Sequence, residues 1–150
     1  MPLFESFGIS ASALTANRLW LDLISNNLAN IHTAGRPGDP AAPLYRRKVP
    51  VFAEKLQRVL FSGQSSGQRD LPAQGVRVLA VIEDPGAPRM AYEPDHPLAD
   101  PVTGYVAYPN INLTNEMINV IVATRAYEAN VTALNAAKEM ALRALEIGRG

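Results

Sequence analysis

The 150-residue chain has no cysteine. That excludes a disulfide framework, thiolate metal sites and cysteine nucleophiles, while leaving an oxidising compartment open. Net charge is missing too, since fourteen Lys and Arg are offset by fourteen Asp and Glu. With no field to gather phosphates, nucleic acid and anionic membrane surfaces are not expected partners. No run approaches the roughly 20 consecutive apolar residues that cross a bilayer, so no direct membrane span is expected. The opening MPLFESFGISASALTANRLW carries Glu5 where a secretory leader has basic residues, and no cleaved signal peptide is read there. Phosphate-cradling glycine loops, nucleotide fingerprints and the metalloprotease helix are also lacking. We therefore expect no enzyme, no cofactor, no metal and no small-molecule substrate.

What the chain does have is helical periodicity at both ends. Phe7, Leu14, Leu21 and Leu28 recur every seven residues, with Leu3, Ile24 and Ile31 three or four positions away. This predicts a helix over about 4–31, roughly 40 Å long. HTAGRPGDPAAP follows, and its three prolines and two glycines stop the helix. At the other end Val120, Thr124, Tyr127, Val131, Leu134, Ala141 and Leu145 alternate four- and three-residue steps, with Lys138 interrupting the seam. That predicts a helix over about 114–148, about 50 Å long. Thr114 is the expected cap, Glu116 suits the first turn, and Arg143, Gly148 and Arg149 suit the end.

Between the helices, YRRKVPVFAEKL and GVRVLAVIED read as strands, the second with both faces partly covered. FSGQSSGQRDLPAQG reads as a polar surface loop, and short aromatic strands follow it between Pro-Asp and Thr-Gly turns. The expected class is α+β: long N- and C-terminal α-helices pair as a coiled-coil-like core, with a small central β-rich module and long loops. The expected units are residues 1–33, 34–112 and 113–150.

Each terminal helix has one apolar stripe, and a pair leaves the back of each long stripe wet. Helices from other copies would cover it. Ser10, Ala11, Ala13 and Ala16, and Ala126, Ala129, Ala133, Ala136 and Ala137, permit the close approach such an array needs. The expected contact positions are Leu14, Leu21, Ile24 and Leu28 on the first helix and Tyr127, Val131, Leu134 and Leu145 on the second. Asn26, Asn27 and Asn30 crowd the last turn of the first helix, where local capping accounts for one or two of the amides. The others are read as bonding a neighbouring subunit and fixing axial register, as a buried Asn does in a coiled coil. Arg125 and Lys138 snorkel off the seam or pair between subunits.

Three further clusters have plain readings. GQSSG matches the nucleophile-elbow pattern with Ser65 as nucleophile, but it lacks the strand-to-helix context that pattern requires. YEPDHPLAD gathers Glu93, Asp95, His96 and Asp100, and reads as a turn with no second histidine to complete a zinc site. YRRKV reads as a solvated strand edge, or secondly as an interface to an acidic neighbour.

ISASALTANRLWLDLISNNLAN, YRRKVPVF, GVRVLAVIEDP, HPLADPVTGYVAYPNIN and EMINVIVATRAYEANVTALNAAK occur in that order over nearly the whole chain. Together they resemble the bacterial flagellar axial proteins of the rod and hook, and within them a proximal rod subunit. SNNLAN is shared across that wider family; GYVAYPN followed by RAYEAN, which adds Asn130 to the contact positions, is more specific. The resemblance implies a non-enzymatic structural subunit that passes through the flagellar type III export apparatus and polymerises in the periplasm into the torque-transmitting proximal rod. The implied partners are other copies of itself and other flagellar rod proteins. Both terminal helices would form the inner layer and the β module would face outward, with termini disordered before assembly. HTAGRPGDPAAPL and SGQSSGQRDLPAQ depart from the usual family form, as do Asp95 and Leu98. Two alternatives stay open, another proximal rod subunit and a free-standing helical protein-binding module.

Overall fold

Both terminal stretches of helix-forming residues are helical in the computed structural model, which describes residues 2–37, 39–55 and 75–148. Helix α1 spans Pro2–Ala29 and helix α2 spans Leu113–Ile147, close to the boundaries expected. Pro2 suits the first helical position, where a missing N–H removes no bond. At the far end the Asn30 N–H reaches the Asn26 carbonyl at 3.2 Å and the Thr33 N–H reaches Asn30 at 3.0 Å, winding α1 down into a turn.

The cap of α2 is Asn112 rather than Thr114. Asn112 is extended (φ −97°, ψ 115°) and its side chain accepts the Asn115 N–H at 3.1 Å, which a better N-cap residue than threonine does readily. At the other end Gly148 donates to the Ala144 carbonyl at 3.2 Å in a right-handed conformation. No basic residue lies in that last turn, so Arg143 sits too far back for the dipole role expected of it. Arg149 lies outside the described residues.

Strands β1 (Lys48–Glu54) and β2 (Val76–Glu83) pair antiparallel, from Lys48 opposite Glu83 to Glu54 opposite Val76, with an irregularity between Val51 and Phe52. Pro50 is tolerated in β1 because each strand of a two-stranded sheet is an edge. The connection over 56–74, with Ser65 and its GQSSG motif, lies outside the described residues. Strands β3 (Arg89–Tyr92) and β4 (Tyr105–Tyr108) form a second antiparallel pair. The Gly35 N–H bonds the Ala107 carbonyl at 3.0 Å, tying the segment after α1 to β4. A Cβ at Gly35 would lie 2.5 Å from the Leu44 backbone, so this crossing needs glycine.

The end of α1 meets the start of α2 and the two helices pack side by side, so they run antiparallel. Among the described residues the buried apolar side chains are Ala16, Leu23, Ile24, Val106, Ala107, Ala123 and Ala137. Four of the seven are alanine, which lets backbones come close but buries little area.

The seams are therefore offset from those expected. On α2 the buried row is Glu116, Ala123 and Ala137, with Asn130 half-buried in step at seven-residue intervals. Val120, Thr124, Val131, Leu134 and Ala141 flank it half-buried, while Tyr127 and Leu145 are exposed. On α1 the row runs through Ala16, Leu23, Ile24 and Asn27; Phe7, Leu14 and Leu21 flank it half-buried and Leu28 is exposed. Two helices close most tightly on their smallest side chains, which pushes the larger ones to the margins. Strand β2 differs too: Leu79 through Glu83 are exposed, so its far half is not covered on both faces.

Candidate assembly interface

Where α1 ends and α2 begins, four polar side chains from three segments close on one another. Asn27 is 1% exposed, and its amide makes four hydrogen bonds. Its Nδ2 donates to the Lys48 carbonyl at 2.9 Å and to Glu116 Oε2 at 3.4 Å. Its Oδ1 accepts the Lys48 N–H at 2.9 Å and the Tyr45 hydroxyl at 3.0 Å. That fills the donors and acceptors a carboxamide has. The expectation that Asn27 bonds a neighbouring subunit is therefore corrected: the capacity is taken up inside the chain.

Glu116, also 1% exposed, is held by Arg47, whose Nε and Nη2 both lie 2.7 Å from Oε1. Arg47 reaches Asp84 as well, at 3.8 Å. The basic YRRKV stretch is thus not a solvated edge at Arg47 but one side of a largely buried ion pair with the chain's own acids. Burial, followed by the charges of Glu83 and Glu116, holds the Tyr45 hydroxyl above its usual pKa, so it stays protonated and donates to Asn27.

The other two asparagines of the cluster behave differently. Asn30 Nδ2 bonds the Asn26 carbonyl at 2.8 Å and its Oδ1 accepts from Thr33 at 3.1 Å, which is local closure of the helix end. Asn26 is exposed. Ile24 is 1% exposed and packs within the chain. On α2, Asn130 donates to the Ala126 carbonyl at 2.8 Å, and Arg125 pairs with Glu128 at 2.8 Å on the open surface.

The YEPDHPLAD cluster is a turn whose polar groups serve it locally. Glu93 accepts from Tyr108 at 2.9 Å, and His96 Nδ1 accepts the Leu98 N–H at 3.1 Å. Asp100 accepts the Val102 N–H at 3.0 Å and the Thr103 hydroxyl at 2.9 Å, bonds that hold its carboxyl below the usual carboxylate range.

The larger discovery is an apolar face. Met117, Ile118, Ile121 and Val122 are all 50% exposed or more, on the side of α2 turned away from Glu116 and Ala123. Met140, Leu142, Leu145 and Ile147 form a second exposed group at the distal end. Helical steps of three and four place the first group on a contiguous strip, the kind of patch that marks a protein contact, whereas in the second Met140 and Ile147 share one side of the helix and Leu142 and Leu145 another. Of these, only Leu145 was among the residues expected from sequence. The run MINVIV was legible as apolar, but which side of it faces inward depends on the alanine seam.

Comparison with known proteins addresses the two ends of the chain and then its whole length. Residues 7–35 match the family model described as flagella basal body rod protein, and residues 102–147 match that described as flagellar basal body rod FlgEFG protein C-terminal. The flagellar basal-body rod protein FlgC of Bacillus subtilis is 40% identical over 153 residues, covering 99% of this chain and all of its own. Those of Borreliella burgdorferi and Salmonella typhimurium are each 39% identical, over 163 and 150 residues, covering 100% and 99% of this chain and all of their own. With most of α1 and all of α2 inside matched segments and relatives about 40% identical aligned over 99–100% of its length, the chain belongs to the flagellar basal-body rod protein family.

Proposed function

We propose that this structural subunit of the basal-body rod polymerises with other copies of itself and other axial proteins into the proximal rod, and there passes on motor torque. In this reading residues 1–33 and 113–150 form the inner layer and residues 34–112 face outward. The observation that carries it is the apolar strip on α2, Met117, Ile118, Ile121 and Val122, left open while alanines fill the intrachain seam. A long helix keeping its bulkiest side chains in water is unfavourable by about 1.5 kcal/mol or more per residue compared with burying them, and neighbouring subunits would recover that energy. Leu14, Leu21, Leu28, Asn26, Tyr127, Val131, Leu134 and Leu145 would meet those neighbours at the margins of the seams. Passage through the flagellar type III export apparatus without a cleaved leader, and assembly in the periplasm, belong to the same proposal. Among the described residues no helix is long and apolar enough to cross a membrane.

Replacement of Ile121 by aspartate tests the reading, because the side chain is 61% exposed and the isolated chain does not depend on it. Circular dichroism of the variant should match that of the parent, while the variant should fail to restore swimming to a strain lacking this subunit. Normal rods built from Ile121→Asp would overturn the assignment of this face to subunit contacts.

A further inference from the structure

Building on the rod-subunit reading above, we propose that Glu116 pins α2 against sliding along α1 in the assembled rod, so that a load reaching either helix is shared by the whole chain. Helix α2 has few attachments. It packs against α1 and against none of the four strands, and residues 109–112 join it to β4. Among the described residues, every hydrogen bond and ion pair that ties α2 to a segment beyond its own cap is made by Glu116. Arg125, Glu128, Asn130 and Thr132 bond within the helix instead.

The apolar seam alone holds the register poorly. Its row on α2 continues from Glu116 through Ala123, Asn130 and Ala137 at seven-residue steps, and ridges made of alanine are shallow. A slide of seven residues, about 10 Å, would put Ala123 where Glu116 stood and Ala137 where Asn130 stood, with little change in the area buried. The joint forbids that slide. Glu116 Oε1 lies 2.7 Å from both Nε and Nη2 of Arg47, and Oε2 lies 3.4 Å from Asn27 Nδ2. A displacement of one helical turn, about 5.4 Å, breaks all three contacts and strands a carboxylate that is 1% exposed. The partners of Glu116 are themselves fastened together. Asn27 bonds both the N–H and the carbonyl of Lys48, next to Arg47, each at 2.9 Å, and Arg47 reaches Asp84 beyond the end of β2 at 3.8 Å. Helix α1, the β1–β2 hairpin and α2 are thus tied pairwise in a closed triangle of bonds, which shears only if two of its sides break.

Motor rotation under load tests the pin, in cells that lack the subunit and carry parent or variant chain, with rods counted by electron microscopy of purified basal bodies. Glu116→Gln keeps the shape of the side chain but drops the charge that Arg47 grips. Its rods should be as numerous as those of the parent, while the share of motors that stop for good when turning a large bead should rise about fivefold. Arg47→Lys keeps the charge pair without the two-nitrogen grip; it should give a rise of about twofold, and it carries the test if Glu116→Gln builds few rods. Ile24→Val weakens the buried seam without touching the joint, and should leave rotation under load unchanged. With a small bead all three should turn as the parent does. Persistence under load equal to the parent's in both Glu116→Gln and Arg47→Lys would overturn the pin. So would a loss in Ile24→Val as large as theirs, which would mark the joint as ordinary stability. Absence of the parent chain from purified basal bodies would instead overturn the rod-subunit reading itself.

Discussion

The first turns of α2 present opposite chemistries on their two sides. Inward stands Glu116, charged and 1% exposed; outward stand Met117, Ile118, Ile121 and Val122, apolar and at least half exposed. An ordinary globular helix has the reverse arrangement. The contrast teaches a division of labour. Directional polar bonds fix which parts of this chain meet, because a misplaced pairing leaves a buried charge or amide unsatisfied. Apolar surface, which is less selective but strongly favours burial, is left for contacts with other molecules.

The inward side is broken most severely through Arg47. Arg47→Ala leaves Glu116 buried without its cation, and should destabilise the isolated chain by about 3–5 kcal/mol, measured by urea unfolding followed by circular dichroism. Part of that loss should return in Arg47→Lys, which restores charge but not the fork that places Nε and Nη2 on Oε1. A loss below about 1 kcal/mol would mean that Glu116 reaches water on removal of its partner, and the two sides of α2 would differ less than drawn here.

Asn27→Leu comes next. Leucine is the better helix former by up to about 0.5 kcal/mol, and on the sequence alone that gain leads one to expect a sturdier helix. The structure reverses the sign, since the substitution strands the Lys48 N–H and carbonyl and the Tyr45 hydroxyl near Glu116. We expect a net loss of about 3 kcal/mol, again from urea unfolding. An unchanged or higher midpoint would restore the view of these amides as plain caps.

How far these features could be read from the sequence follows from the range of the forces involved. The two helices were legible, because heptad spacing and the Pro- and Gly-rich break after Ile31 are local signals. The hairpin strands were legible for the same reason, through alternation in GVRVLAVIED. The joint was not: Arg47 and Glu116 are 69 residues apart and Asn27 and Glu116 are 89 apart, and nothing near any of them names its partner. Nor was the offset of the seams. Periodicity finds a stripe by its largest residues, Leu14, Leu21, Leu28 and Tyr127, whereas two helices of one chain closed on their smallest, Ala16, Ala123 and Ala137. The stripe read from sequence therefore mixes what packs within the chain with what the chain holds out to others.

The outward side should be nearly silent in the isolated chain, and Arg125 gives the cleanest check. It pairs with Glu128 at 2.8 Å, but the two side chains are 78% and 55% exposed, so water and salt screen their attraction and two long side chains must be held to keep it. Such pairs contribute about 0.2–0.5 kcal/mol at most. Arg125→Ala should thus shift the urea midpoint by no more than the error of the measurement, and added salt should erase even that. If the outward side is where neighbours sit, the same substitution shows its effect only in assembled rods, where Arg125 loses water and meets whatever charge the next subunit offers. A shift of more than about 1 kcal/mol in the dilute chain would place Arg125 inside a contact of its own molecule and would move the boundary between the two sides of α2.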